Sequence, residues 1–386
     1  MAPAALISIT TWEVNVSLSL MKRYCFVCVV FAMMFLTASS FAQTPNFPTG
    51  AQQGLATPLP PTYPWETRPP KCRVPGAPPF FMCKLDNWPG PEQTVYRLKL
   101  LYFNEDYSLL ERALAELTTP SRQFSDGAFS EELIADALSG AMNGSTQESE
   151  EERRLALWRK AFPDSPYLEL TQVYFMHAKA WKARGEGYAS SVSKESWELF
   201  HIRLREAEQA LLKASPRLKD TPEWYRQLLA ISFDLGAEHE DPSDVYEHAI
   251  KRWPAYASFQ KIVIWRLVPQ WGGNWPSVEA FARKSTGLQP PSEGKSLYAR
   301  LYMHLLGQAS AEEMGFDWNL MKASFDDLIA RHPDARYKNL YASFACFEKD
   351  KDAFGKAMRV LPQSDVVPGW WLNGNSYDAC LRWGGT

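Results

Sequence analysis

The chain has 386 residues, 46% apolar and 22% charged, with a formal net charge of −3. That is enough for one large or two ordinary domains with a full core. No Lys/Arg run is long enough to form a nucleic-acid footprint, so no nucleic-acid partner is expected. Aromatics are abundant, with 15 Trp, 16 Tyr and 21 Phe, which suits helices locked together by large side chains.

Met21-Lys22-Arg23, the apolar run over 24–36 and Ser40-Phe41-Ala42 read as a secretory signal peptide over 21–42, with residues 1–20 an upstream extension. The apolar run is shorter than the roughly 20 residues a spanning helix needs, which favours cleavage over anchoring. The expected mature chain begins at Gln43, has no membrane span, and is periplasmic or secreted. Cys25 and Cys28 fall inside the signal, leaving Cys72, Cys83, Cys346 and Cys380. An exported chain with an even cysteine count favours disulfides. Three connectivities exist, and the local one, Cys72–Cys83 with Cys346–Cys380, closes the shortest loops. Residues 43–91 hold 13 of the 28 prolines, which predicts an extended, polyproline-like segment containing Cys72 and Cys83.

From residue 92 to 383 the period becomes helical. Leu98, Leu101, Leu109, Leu110, Leu114 and Leu117 recur at three- and four-residue steps, broken at Asn104-Glu105-Asp106, as in a helical hairpin. Phe124 to Gly127 reads as a turn, 129–138 as a helix, and the acidic stretch 142–152 as a loop before a helix over 154–162. Asn143-Gly144-Ser145 matches a glycosylation sequon, meaningful only in a eukaryotic secretory route. A helix over 166–184 ends at Arg184-Gly185-Glu186-Gly187, where glycine can take a left-handed cap. Trp197, His201, Leu204 and Leu211 mark a long helix. Thr221-Pro222 opens the next as N-cap and first-turn proline, and Asp241-Pro242 repeats that signal. Further helices follow over 255–267, 276–285, 292–306, 318–332, 336–348 and 352–361. A Pro-Gln-Trp-Gly-Gly hinge follows the first, and Ser310 with Glu313 forms a capping box. Hairpins beginning near 222, 255, 293 and 335 are roughly 33, 38 and 42 residues apart, the range of tetratricopeptide-like repeats. The expected fold is all-α, an α-solenoid of degenerate tetratricopeptide-like hairpins.

Leu109-Leu110-Glu111, Phe124 to Gly127, Arg184 to Gly187 and Leu267-Val268-Pro269-Gln270-Trp271-Gly272-Gly273 resemble the bacterial family catalogued only as a domain of unknown function, number 4034. Phe316-Asp317-Trp318, His332-Pro333-Asp334, Asn339 to Cys346, Asp350, Trp371, Cys380 and Trp383 extend that resemblance. It covers about 92–383, and it implies a helical-repeat protein without an assigned activity. The Pro-rich preface departs from the family.

Such arrays usually bind along a concave groove. The expected function is therefore non-catalytic binding of a protein or peptide partner, as an adaptor, scaffold or immunity-type protein, with no cofactor. Candidate partner-binding residues are Arg184, Gly185, Glu186 and Gly187, with Trp224, Trp271, Gly272, Gly273 and Trp275. Arg184 could meet a carboxylate or simply bond carbonyls at its own helix end. Trp271 reads as a plug between repeats, its glycines permitting the reversal. No phosphate loop, nucleophile elbow or zinc-protease motif is present. The alternative is an enzyme, a hydrolase or metal-dependent type, using Glu238-His239-Glu240-Asp241 with Asp244 and His248. The last two are one helical turn apart and could share a metal. Acidic residues around a helix start also serve its free backbone donors. His177 and His201 lie on apolar faces and read as core histidines.

Overall fold

The computed structural model describes residues 91–118, 123–143, 148–236, 242–372 and 377–385. The signal segment, the Pro-rich stretch to residue 90 with the Cys72–Cys83 pairing, and Glu238 to Asp241 lie outside them. Among the described residues the chain is all-α, with seventeen α-helices, no strand, and two isolated bridges. No described helix is long and apolar enough to cross a membrane.

Helices α1 (Pro91–Phe103) and α2 (Tyr107–Thr118) form the first hairpin, turning at Glu105 with φ 59. Leu98, Leu101 and Tyr102 face Leu110, Leu114 and Leu117 in its core, as their spacing requires. Next come α3 (Ser130–Asn143), α4 (Glu148–Ala161), α5 (Pro166–Arg184) and α6 (Lys194–Leu212). The acidic stretch 142–152 is not one loop. Glu148, Glu150 and Glu151 form the first turn of α4, where carboxylates favour the positive end of the helix dipole. Glu151 is also fixed there by the Tyr102 hydroxyl at 2.5 Å and Arg154 at 2.8 Å.

α5 starts where the sequence says: the Ser165 hydroxyl accepts from the Leu168 N–H at 3.1 Å and Pro166 occupies the first turn. A short helix, α7 (Pro216–Lys219), precedes α8 (Pro222–Leu235), which Thr221 caps and Gly236 closes. In α9 (Ser243–Arg252) the same signal plays out differently, since Pro242 itself is the N-cap. α10 (Ser258–Arg266) and α12 (Ser296–Leu305) start three to four residues later than expected. Turns occupy the intervals; Pro290 and Pro291 accept from the Glu293 and Gly294 N–H groups, and Gly294 has φ 55. Between them lies α11 (Trp275–Gly287), and afterwards α13 (Ala311–Met314), which carries the Ser310/Glu313 capping box. The chain closes with α14 (Trp318–Arg331), α15 (Ala335–Phe347), α16 (Lys351–Val360) and α17 (Tyr377–Gly384). A Cys346–Cys380 disulfide fastens α17 to α15.

The core forms two large blocks, one from α1 to α8 and one from Ala257 to Cys380. A small cluster of Leu229, Ala249, Tyr256 and Phe259 lies between them. Polar ties also join the blocks. Glu132 of α3 accepts from Ser258 at 2.5 Å, from Lys261 at 3.3 Å and from the Phe129 N–H at 2.9 Å. The Asp126 carbonyl accepts from Tyr337 at 2.5 Å, across 211 residues, and from Arg300. Gly127 allows that approach, because a Cβ there would strike the Arg300 guanidinium and the His332 ring.

Candidate functional site

The C-terminal half of α5, the loop after it and the Pro269–Trp271 turn enclose an open cleft of about 1170 Å³. Phe175, Trp181, Tyr188 and Trp271 supply aromatic walls, with Lys179, Lys182, Arg184 and Glu186 among them. Met142, Asn143 and Glu148 close one side. Of the residues singled out from sequence, Arg184, Gly185, Glu186, Gly187 and Trp271 line this cleft. Gly272, Gly273, Trp224 and Trp275 do not. Trp224 donates to the Leu211 carbonyl at 2.8 Å, and Trp275 packs on the C-terminal core block.

Arg184 is held by its own loop. It donates to the carbonyls of Gly185 at 3.0 Å and Gly187 at 3.1 Å. Its guanidinium lies 5.3 Å from the Trp181 ring and 5.0 Å from Trp197, so cation–π attraction clamps it from two sides. Gly185 has φ 80 with ψ 174, an extended exit in place of the compact left-handed cap that the sequence suggested.

Trp271 is no buried plug. It is 36% exposed, with Arg266 5.2 Å over its ring and Trp181 meeting it edge-on at 6.2 Å. The reversal beside it needs its glycines: Gly272 sits at φ 89, and a Cβ on Gly273 would strike the Leu267 backbone. Trp271→Ala should therefore cost about 1–2 kcal/mol in urea unfolding, the scale of one aromatic and one cation–π contact. A loss of about 4 kcal/mol would restore the plug.

Behind the cleft wall lies Asp234 of α8, its side chain only 2% exposed. One carboxylate oxygen is 2.6 Å from His177 Nε2 and accepts from Trp181 Nε1 at 2.8 Å; Arg266 pairs with the other. Gln227 reaches His177 Nδ1 at 2.8 Å. Burial pushes the Asp234 carboxyl up, but the His177 hydrogen bond and the Arg266 charge outweigh it and hold it below its ordinary value. Both His177 nitrogens are engaged, so it orients Trp181 through Asp234 and offers no free base. Arg266 carries the same network to Trp271.

The other charges of the cleft divide plainly. Lys179 is 3.2 Å from Glu152 and 3.7 Å from Glu148. Lys182 and Glu186 are exposed and make no hydrogen bond or ion pair among the described residues. The arrangement can grip an apolar or aromatic group between rings and offer one cation and one carboxylate at its edge. Asp244 and His248 do not line it; Asp244 is in the first turn of α9, and His248 stacks on Tyr225 at 5.4 Å. Among the described residues no three His, Cys, Asp or Glu side chains gather as a metal site.

Sequence reasoning did not single out Trp181 as a wall of the cleft and missed Tyr188, which is 86% exposed. An aromatic directly after the Gly185-Glu186-Gly187 segment was the available signal for Tyr188. Compared with protein-family models, curated proteins and solved structures, the chain matches none.

Proposed function

We propose that this is an exported, non-catalytic helical-repeat protein that holds a protein or peptide partner in the cleft beside α5. Its degenerate tetratricopeptide-like hairpins would stack as a curled α-solenoid; packing of α3 on α5, α6 on α8 and α10 on α12 supports that. The observation that carries the binding reading is the cleft itself. It is large and open, walled by aromatic rings, and its neighbouring His177–Asp234 network is spent on holding two of those rings in place. The enzyme alternative rests on the 238–248 cluster; Glu238 to Asp241 lie outside the described residues, and Asp244 and His248 do not line this cleft.

The test is affinity capture from the native host with the mature chain and with a Trp271→Ala, Lys182→Glu variant. Neither change breaks a hydrogen bond of the Arg184 loop, so both chains should fold alike by circular dichroism. One partner retained by the first, and bound at least tenfold more weakly by the second, is the expected result. A partner bound equally by both would move the site elsewhere, and no partner at all would overturn the proposal.

A further inference from the structure

The cleft beside α5 keeps rings and charges that the fold itself does not use. Tyr188 and Trp271 present exposed rings to it, and Trp181 adds a third, edge-on to Trp271. Lys182 and Glu186 line it as well, both exposed and without a hydrogen bond or ion pair among the described residues. No described residue is in a strand, so the cleft offers no sheet edge to which a peptide could add as a strand. What fits is a chain that brings rigid apolar rings of its own and one charge of each sign. A proline-rich segment does so at little entropic cost, because proline fixes φ and pre-orders the polyproline helix before it docks on aromatic side chains.

The chain carries such a segment ahead of the described residues. Pro60-Pro61-Thr62-Tyr63-Pro64-Trp65-Glu66-Thr67-Arg68-Pro69-Pro70 holds five prolines. Pro61 and Pro64 are three residues apart, the spacing that returns a ring to the same face of a polyproline helix. Glu66 and Arg68 are the charge complements of Lys182 and Glu186. Reach is not limiting. α1 packs along α3, with the Lys99 side chain over Gly140, and Met142 and Asn143 at the end of α3 line the cleft. Helix rise and one interhelix step put Pro91 about 20 Å from that rim. The intervening residues 71–90 span up to about 65 Å when extended, and roughly 40 Å with Cys72 and Cys83 joined.

We infer that Pro60–Pro70 occupies the α5 cleft of its own chain. Pro61, Pro64 and Trp65 lie on the rings of Trp181, Tyr188 and Trp271, with Glu66 toward Lys182 and Arg68 toward Glu186. This rests on the reading of the cleft as a peptide site and adds the chemistry of the occupant. The tether holds the segment at an effective concentration on the order of 1 mM, so even a weak occupant screens the cleft until a stronger one displaces it. An external partner is therefore expected to present a proline- and aromatic-rich segment of the same kind.

The test uses full mature chains and a fluorescein-labelled synthetic peptide with the sequence of Pro60–Pro70, followed by anisotropy. One chain carries Pro61→Ala, Pro64→Ala and Trp65→Ala, which frees the cleft from its own segment. The peptide should bind this chain saturably, and the native chain at least tenfold more weakly, as a tethered competitor requires. Adding Trp271→Ala and Lys182→Glu to the first chain should weaken its hold on the peptide at least tenfold. Equal binding by the native and segment-altered chains, or binding by neither, would overturn the inference. Binding indifferent to the Trp271 and Lys182 changes would overturn it too, by placing the peptide elsewhere. Affinity capture reports separately on the cleft. A partner still lost on changing Trp271 and Lys182, with no peptide bound, would sink the self-occupant and keep the cleft as a partner site. Peptide binding with no partner captured would do the reverse.

Discussion

Glu132→Ala should lower the unfolding free energy by about 3–5 kcal/mol, the cost of breaking a buried charged pair from one side. The carboxylate is buried and accepts from Ser258, Lys261 and the Phe129 N–H. Its removal leaves those donors without an acceptor where water does not replace it. Because Ser258 and Lys261 belong to the second core block, the change also unties the two blocks. Urea unfolding followed by fluorescence is the measurement; a loss under about 1 kcal/mol would show the pair to be dispensable. Burial pushes this carboxyl up, yet Lys261, Ser258 and the Phe129 amide together hold it below its ordinary value. Its contribution is therefore present above the unfolded carboxylate pKa of about 4.3 and fades as pH falls through the lower folded value. The variant should accordingly lose part of the native chain's acid dependence.

The second large effect concerns Cys346–Cys380, which closes a loop with a sequence separation of 34. Chain-entropy reasoning for a loop of that size gives about 4 kcal/mol of stabilisation. Replacing both cysteines by serine should lower stability by roughly that amount. The loss should be greatest at the C-terminal end, where Trp383 rests on Phe354 at 5.6 Å and Cys380 is 1% exposed. Hydrogen exchange should show 363–385 opening first. Uniform loss of protection along the whole chain would instead mean that the bridge supports the fold globally.

Most of the helices could be read from local chemistry. Ser165-Pro166, Thr221-Pro222 and the Ser310/Glu313 box mark their boundaries because capping is decided within four residues. Errors arose where a local signal competed with another. The acidic run before α4 looked like a solvated loop, but Tyr102, 49 residues away, helps fix Glu151 in a helix. Pro290-Pro291 delayed α12 by favouring turns. The site was legible only in part: the Arg184 to Gly187 segment and Trp271 each looked unusual alone. Nothing local says that they face one cleft, since that depends on how α5 packs against a turn more than eighty residues later. The misreading of Trp271 has the same origin, because exposure is a property of neighbours and not of the motif.

The Asp126 carbonyl, gripped by Arg300 and Tyr337, is a clasp between parts of the chain 174 and 211 residues apart. In an open row of hairpins each unit answers only to the next, and evolution can add or delete one with local consequences. Here a hairpin inserted between Gly127 and Arg300 would carry the two jaws of the clasp apart. The number of helices between Gly127 and Arg300 is thereby constrained by the clasp itself. Lineages of such a chain should vary in the length of their connecting turns long before they vary in the number of their helices.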